Sequence, residues 1–92
     1  MKALLTVNPV SGKKRITGEL VSVISRLEKG GYTTTVHVTD RRGDAAETAR
    51  LHGGEYDVII CCGGDGKRRE TVNGKIAGGH KTKIGHIPSG TT

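Results

Sequence analysis

Apolar and β-branched runs alternate with stretches of helical periodicity along the whole chain. "KALLTV", Lys2 to Val7, is a short apolar run that predicts a buried strand. "NPVSGKK" breaks it as a turn rich in Pro, Ser and Gly. Ile16, Leu20, Val23, Ile24 and Leu27 then recur at helical spacing, and Gly30-Gly31 stops that helix. β-Branched residues crowd "YTTTVHV", Tyr32 to Val38, which predicts a second strand. After the loop "TDRRGD", Ala45, Ala46, Ala49 and Leu51 predict a short helix closed by Gly53-Gly54. "DVIICC", Asp57 to Cys62, is a continuous apolar run, the pattern of a strand buried on both faces. The glycine loop "GGDG" follows, then a third helix from about Lys67 to Ala77, ended by Gly78-Gly79. "KIGHI", Lys83 to Ile87, is the fourth strand, and "PSGTT" comes last.

The order βαβαβαβ with short connections predicts an α/β fold: a three-layer, Rossmann-like open parallel sheet of four strands, in order 2-1-3-4, with three helices and right-handed crossovers. Ligands of such sheets bind at the carboxyl ends of the strands. The loops "NPVSG", "TDRRGD", "GGDG" and "PSGTT" should therefore gather on one edge. Ninety-two residues hold one small domain. With no Trp or Phe, its core must be built from Val, Ile, Leu and Ala, and it will be thin.

A net charge of +6 suits an anionic ligand, a nucleic acid or a membrane surface, and equally a solvated face. An aromatic content of 2% removes the stacking platforms of nucleic-acid binders, and no reader motif is present, so no specific nucleic-acid partner is expected. Adjacent Cys61 and Cys62 point to opposite faces of a strand, which disfavours a mutual disulfide. Without any CxxC spacing they read as reduced thiols of a cytosolic protein. "MKALLTVNP" lacks the length and cleavage site of a signal peptide, and no segment reaches the roughly 20 apolar residues of a membrane span. The expected location is the cytoplasm.

The glycine loop carries the first chemical signal. Gly63, Gly64 and Gly66 let backbone N–H groups approach a ligand with no Cβ in the way. The helix that follows directs partial positive charge at the same place, and the two features together make an anion cradle. Asp65 either caps that helix or organises a metal-bound phosphate. In "NPVSGKK", Asn8 and Pro9 fix a turn, and Ser11 and Gly12 offer a hydroxyl and open N–H groups, or a plain helix cap. "PSGTT" adds the hydroxyls of Ser89, Thr91 and Thr92, or is a frayed end.

Taken in order, "NPVSGKK", "TDRRGDAAETAR", "GGDG" with Glu70 and "VNG" after it, and "IPSGTT" resemble the nucleotide-binding subdomain of the diacylglycerol kinase catalytic family, especially its soluble bacterial lipid kinases. The likeness spans nearly all 92 residues. "GGDG" alone also suits NAD kinases and phosphofructokinases; the "NPxSGK" opening and the "T…GDA" segment favour the lipid kinases. The resemblance implies ATP, with magnesium, along the loop edge. By position, Asn8, Pro9, Ser11 and Gly12 line the nucleotide pocket, Thr39 contacts the nucleotide, Gly63, Gly64, Asp65 and Gly66 hold the phosphates, and Thr91 adds a hydroxyl. Glu70 and Asn73 match the family pattern in a supporting role, or as an exposed Glu and a helix-packing Asn. No catalytic residue is assigned within the 92.

The departures from the family pattern are chemical. Lys67, Arg68 and Arg69 stand where Thr, an apolar residue and Asn are usual, and Lys75 replaces an apolar residue. His86 stands where an apolar or aromatic residue is frequent. Cations in the first turn oppose the helix dipole, at about 0.3–1 kcal/mol each when exposed. They either keep an engineered, isolated subdomain monomeric or strengthen anion binding. Resemblance also places the lipid pocket, further metal ligands and the general base in a second, mostly β domain, which leaves 1–92 as a single ATP-binding subdomain. The expectation is a monomer or weak dimer, a truncated kinase without activity of its own; an engineered scaffold with no ligand and an NAD kinase-like subdomain are the other readings.

Overall fold

The computed structural model describes residues 1–7, 13–39, 41–63 and 65–88. Its elements are β1 (Lys2–Val7), α1 (Lys13–Lys29), β2 (Thr33–Val38), α2 (Asp44–His52), β3 (Val58–Gly63), α3 (Asp65–Ala77) and β4 (Lys83–Pro88), with a 3-10 turn at Gly53–Glu55. The strands form one parallel sheet in the order β2-β1-β3-β4, as the alternation of elements predicts. α2 and α3 pack on one another, and α3 lies against β3 and β4, whereas α1 packs on β2. Right-handed crossovers in this strand order put α1 on one face and α2 with α3 on the other, which makes three layers.

In-register partners across a parallel sheet share a face. Leu4 pairs with Ile59 and packs with Ala49 of α2, Tyr56 and Ile84. Two residues on, Thr6 pairs with Cys61, whose thiol lies against Thr71 of α3. This face is closed: Leu4, Ile59, Cys61, Ala49 and Thr71 are all buried. The opposite face is closed only over β1, where Ala3, Leu5 and Val7 are buried. Their partners Val58, Ile60 and Cys62 on β3 are half-buried. The apolar run of β3 therefore does not mean burial on both faces here. Two helices cover one side, while on the other α1 packs on β2 yet leaves Val36 and Val38 exposed. The reading of β3 as a doubly covered strand is corrected accordingly.

Boundaries shift by up to three residues, as ends fray. α3 starts at Asp65 instead of Lys67. Asp65 is thus the first residue of the helix, not its cap, and Arg69 falls in the second turn.

At the amino edge, the ring of His80 lies against Gly53, Gly54 and Gly78, where a Cβ would come within 2.8, 2.9 and 2.5 Å of it. Its Nε2 lies 2.9 Å from the Arg50 carbonyl, and Thr82 donates to the Gly53 carbonyl at 2.6 Å. The ends of α2 and α3 are held there by small residues that admit one imidazole.

Candidate functional site: the carboxyl edge of the sheet

All four strands are parallel, so Val7, Val38, Gly63 and Pro88 end on one edge. The chain leaves β1 towards β2 and leaves β3 towards β4, in opposite directions. The carboxyl ends of β1 and β3 therefore flank a topological switch point, where α/β sheets hold their ligands. Gly63 closes β3 opposite Pro88 in register, and α3 starts two residues later. Gly66 is exposed in the first turn of α3, with open space where a Cβ would stand. The N-terminus of α3 thus faces this edge. Asn8, Pro9, Ser11, Gly12, Gly64 and Thr91 lie outside the described residues.

Thr39 is buried at the same edge. Its N–H and its hydroxyl both donate to the Val7 carbonyl, at 2.8 and 3.2 Å. These bonds give Thr39 an anchoring task, tying the start of the β2–α2 loop to the end of β1. The oxygen of that hydroxyl keeps its capacity to accept a hydrogen bond.

The far end of the loop is held as well. Gly43 has a left-handed backbone, φ 89°, and caps α2 without a side chain. Its N–H donates to Oε1 of Glu70, on α3, at 3.0 Å. Asp44 follows, buried at the start of α2. Its Oδ1 lies 3.1 Å from His37 Nε2 and accepts from the Thr48 hydroxyl at 3.2 Å. A buried carboxylate needs such partners, and His37, the next-to-last residue of β2, is placed to supply one. Periodicity singled out neither the Glu70 link nor the His37–Asp44–Thr48 cluster. A glycine directly before a helix, with no capping side chain, is the one local sign that an outside group is needed.

Under the cradle, the Cys61 thiol donates to Thr71 Oγ1 at 3.1 Å. Burial pushes this thiol up from its ordinary value. Cys61 is therefore a neutral core thiol, not a nucleophile.

Arg68 and Arg69 are exposed on α3 and, with Val72 and Asn73, line a shallow groove of about 170 Å³. Arg41, in the β2–α2 loop, pairs with Glu47. Asn73 is exposed and Glu70 half-buried, so of the two family-matched residues Glu70 has the tertiary role. Among the described residues no three His, Cys, Asp or Glu side chains could hold a metal together. Asp65 heads the helix at this edge. No helix of the described residues is long and apolar enough to cross a membrane.

The model of the diacylglycerol kinase catalytic domain matches residues 2–92. A diacylglycerol kinase of Staphylococcus aureus (strain MRSA252) is 42% identical over 91 residues, covering 98% of this chain and 29% of that protein. One from Staphylococcus haemolyticus (strain JCSC1435) is 42% identical over 90 residues, covering 97% and 27%. The crystal structure of a diacylglycerol kinase from Bacillus anthracis str. Sterne superposes with a TM-score of 0.81 at 30% identity, over 98% of this chain and 33% of that one. The chain thus spans less than a third of the length of these relatives. The matched segment includes all four strands and the whole carboxyl edge, and on that ground the chain belongs to the diacylglycerol kinase catalytic domain family.

Proposed function

We propose that these 92 residues are the ATP-binding portion of a lipid kinase, of the kind that passes the ATP γ-phosphoryl group to a lipid hydroxyl. The observation that carries this reading is the glycine loop at the switch point. β3 ends at Gly63, α3 opens at Asp65, and both lie beside the end of β1 within the family match. Magnesium-bound phosphates would lie at the N-terminus of α3, near Gly63, Gly64, Asp65 and Gly66. Asn8, Pro9, Ser11, Gly12, Thr39 and Thr91 would complete the pocket. Phosphoryl transfer requires both substrates to be positioned and their charge neutralised. The nucleotide half alone does not meet that requirement, so the 92 residues bind without transferring. The lipid site belongs to the remaining length that the relatives have. We place the protein in the cytoplasm, as a monomer or weak dimer.

Arg68 and Arg69 are exposed, in keeping with a role in solubility. The test is an NMR titration of the labelled chain with Mg-ATP. Shifts concentrated at Gly12, Thr39 and Gly63 to Gly66 are expected. A dispersed spectrum that does not move would leave a folded remnant with no nucleotide site and refute the reading. Binding that ignores ionic strength would separately exclude the cations as its source.

A further inference from the structure

We infer that Glu70 is a positioning residue that couples the two loops of the proposed nucleotide site; the inference rests on that nucleotide reading. In a capping box, the third helical residue is a Glu or Gln whose side chain reaches back to the N–H of the cap residue. α2 cannot do this for itself. Its cap is Gly43, and its third residue is Ala46, which has no acceptor side chain. Ala46 also lies where the two helices touch, its carbonyl 2.1 Å from where a Cβ on Gly74 would stand. Glu70 precedes Gly74 by four residues and so lies on the same face of α3, one turn nearer the carboxyl edge. Its carboxylate accepts the Gly43 N–H at 3.0 Å. α3 thus supplies the missing half of a capping box to its neighbour, and the charge lies at the positive end of the α2 dipole.

The two contacts run in the same direction: Glu70 with Gly43, Gly74 with Ala46. The helices are side by side with their N-termini on the same edge. The glycine contact fixes how closely they approach, and the carboxylate fixes how far one slides along the other. Because Thr39 is tied to Val7 at the other end, the β2–α2 loop is clamped between β1 and α3. Glu70 therefore sets the height of that loop against the N-terminus of α3. ATP, which contacts both, feels this setting. A ligand that contacts only the phosphate cradle does not.

Two conservative variants separate reach from charge. E70Q keeps the reach and the acceptor oxygen but loses the charge; E70D keeps the charge and is one methylene too short. Amide exchange is read on the unliganded proteins, and affinity is read for Mg-ATP and for magnesium tripolyphosphate. In E70D, Gly43 is expected to exchange roughly tenfold faster and Mg-ATP to bind roughly tenfold more weakly, the worth of one part-buried hydrogen bond to a charged group. Tripolyphosphate should stay within about twofold, and E70Q should restore Gly43 protection and ATP affinity to within about threefold of the parent. Unchanged Gly43 exchange in E70D overturns the bridge. Equal weakening of both ligands overturns the positioning role and leaves Glu70 a structural brace. A parent chain that binds neither ligand overturns the nucleotide reading and with it the positioning role, while the Gly43 exchange still decides whether the bridge exists.

Discussion

Gly74 tests the packing of α2 on α3 directly. In an open helix interior, Gly→Ala stabilises by up to about 1 kcal/mol, because alanine loses less backbone entropy on folding. At Gly74 the added methyl would stand 2.1 Å from the Ala46 oxygen, 2.9 Å from its carbonyl carbon and 3.0 Å from its Cα. All three are backbone atoms, so no side chain can rotate away. Reaching an ordinary contact of 3.4 Å requires the helices to part by about 1.3 Å. Overpacking of this kind costs about 1–3 kcal/mol where the surroundings yield, and here they are two helix backbones. Taking the upper figure and the offset from propensity, Gly74→Ala is expected to lose about 2 kcal/mol net. The total stability expected of 92 residues is only about 5–14 kcal/mol. The melting temperature should fall by roughly 8–16 °C, at about 4–8 °C per kcal/mol for a domain this small. Urea unfolding followed by circular dichroism measures the first quantity, and a thermal melt the second. Gly66→Ala, in the same helix, has nothing within 4 Å of the new methyl and should gain about 0.5–1 kcal/mol. If Gly74→Ala proves as stable as the parent, the close approach of α2 to α3 is wrong.

Gly66→Ala should weaken Mg-ATP binding while it stabilises the fold, since the open N–H groups of the cradle are then shielded by a methyl; unchanged affinity in a titration would remove Gly66 from the site. Thr39→Val should cost about 1 kcal/mol, the hydroxyl bond to Val7, while the Thr39 N–H keeps the same carbonyl satisfied; a urea midpoint shift measures it. Burial raises the folded-state pKa of Cys61, so its contribution is whole below the ordinary thiol value of about 8.5 and is lost as pH rises through the higher folded value. Stability should therefore decline above about pH 8.5 in the parent more than in Cys61→Ala, and equal slopes would contradict the buried-thiol assignment. Arg68→Leu should lengthen the apolar stripe of Val72 and exposed Ile76 by one turn and promote self-association in light scattering; an unchanged monomer would count against a solubility role for Arg68.

Local patterning accounts for most of the architecture. The apolar runs, the helical recurrence from Ile16 to Leu27 and the paired glycines mark every element to within three residues, because burial acts with different periods on strands and helices. The strand order follows from short connections and right-handed crossovers, and the order then puts the glycine loop at the switch point. The sequence could not say which apolar residues lose their water. Val58, Ile60 and Cys62 look like Ile59 and Cys61 in composition, yet only the latter two are buried, since helices cover one face of β3 more fully than the other. Nor could it say that Gly74 is the crossing point of two helices, that Thr39 is an anchor, or that Glu70 reaches Gly43 across 27 positions of chain. Periodicity records which face of an element avoids water. Which polar group completes another element's hydrogen bonds depends on how helices sit against one another, and that is settled only when the sheet brings them together.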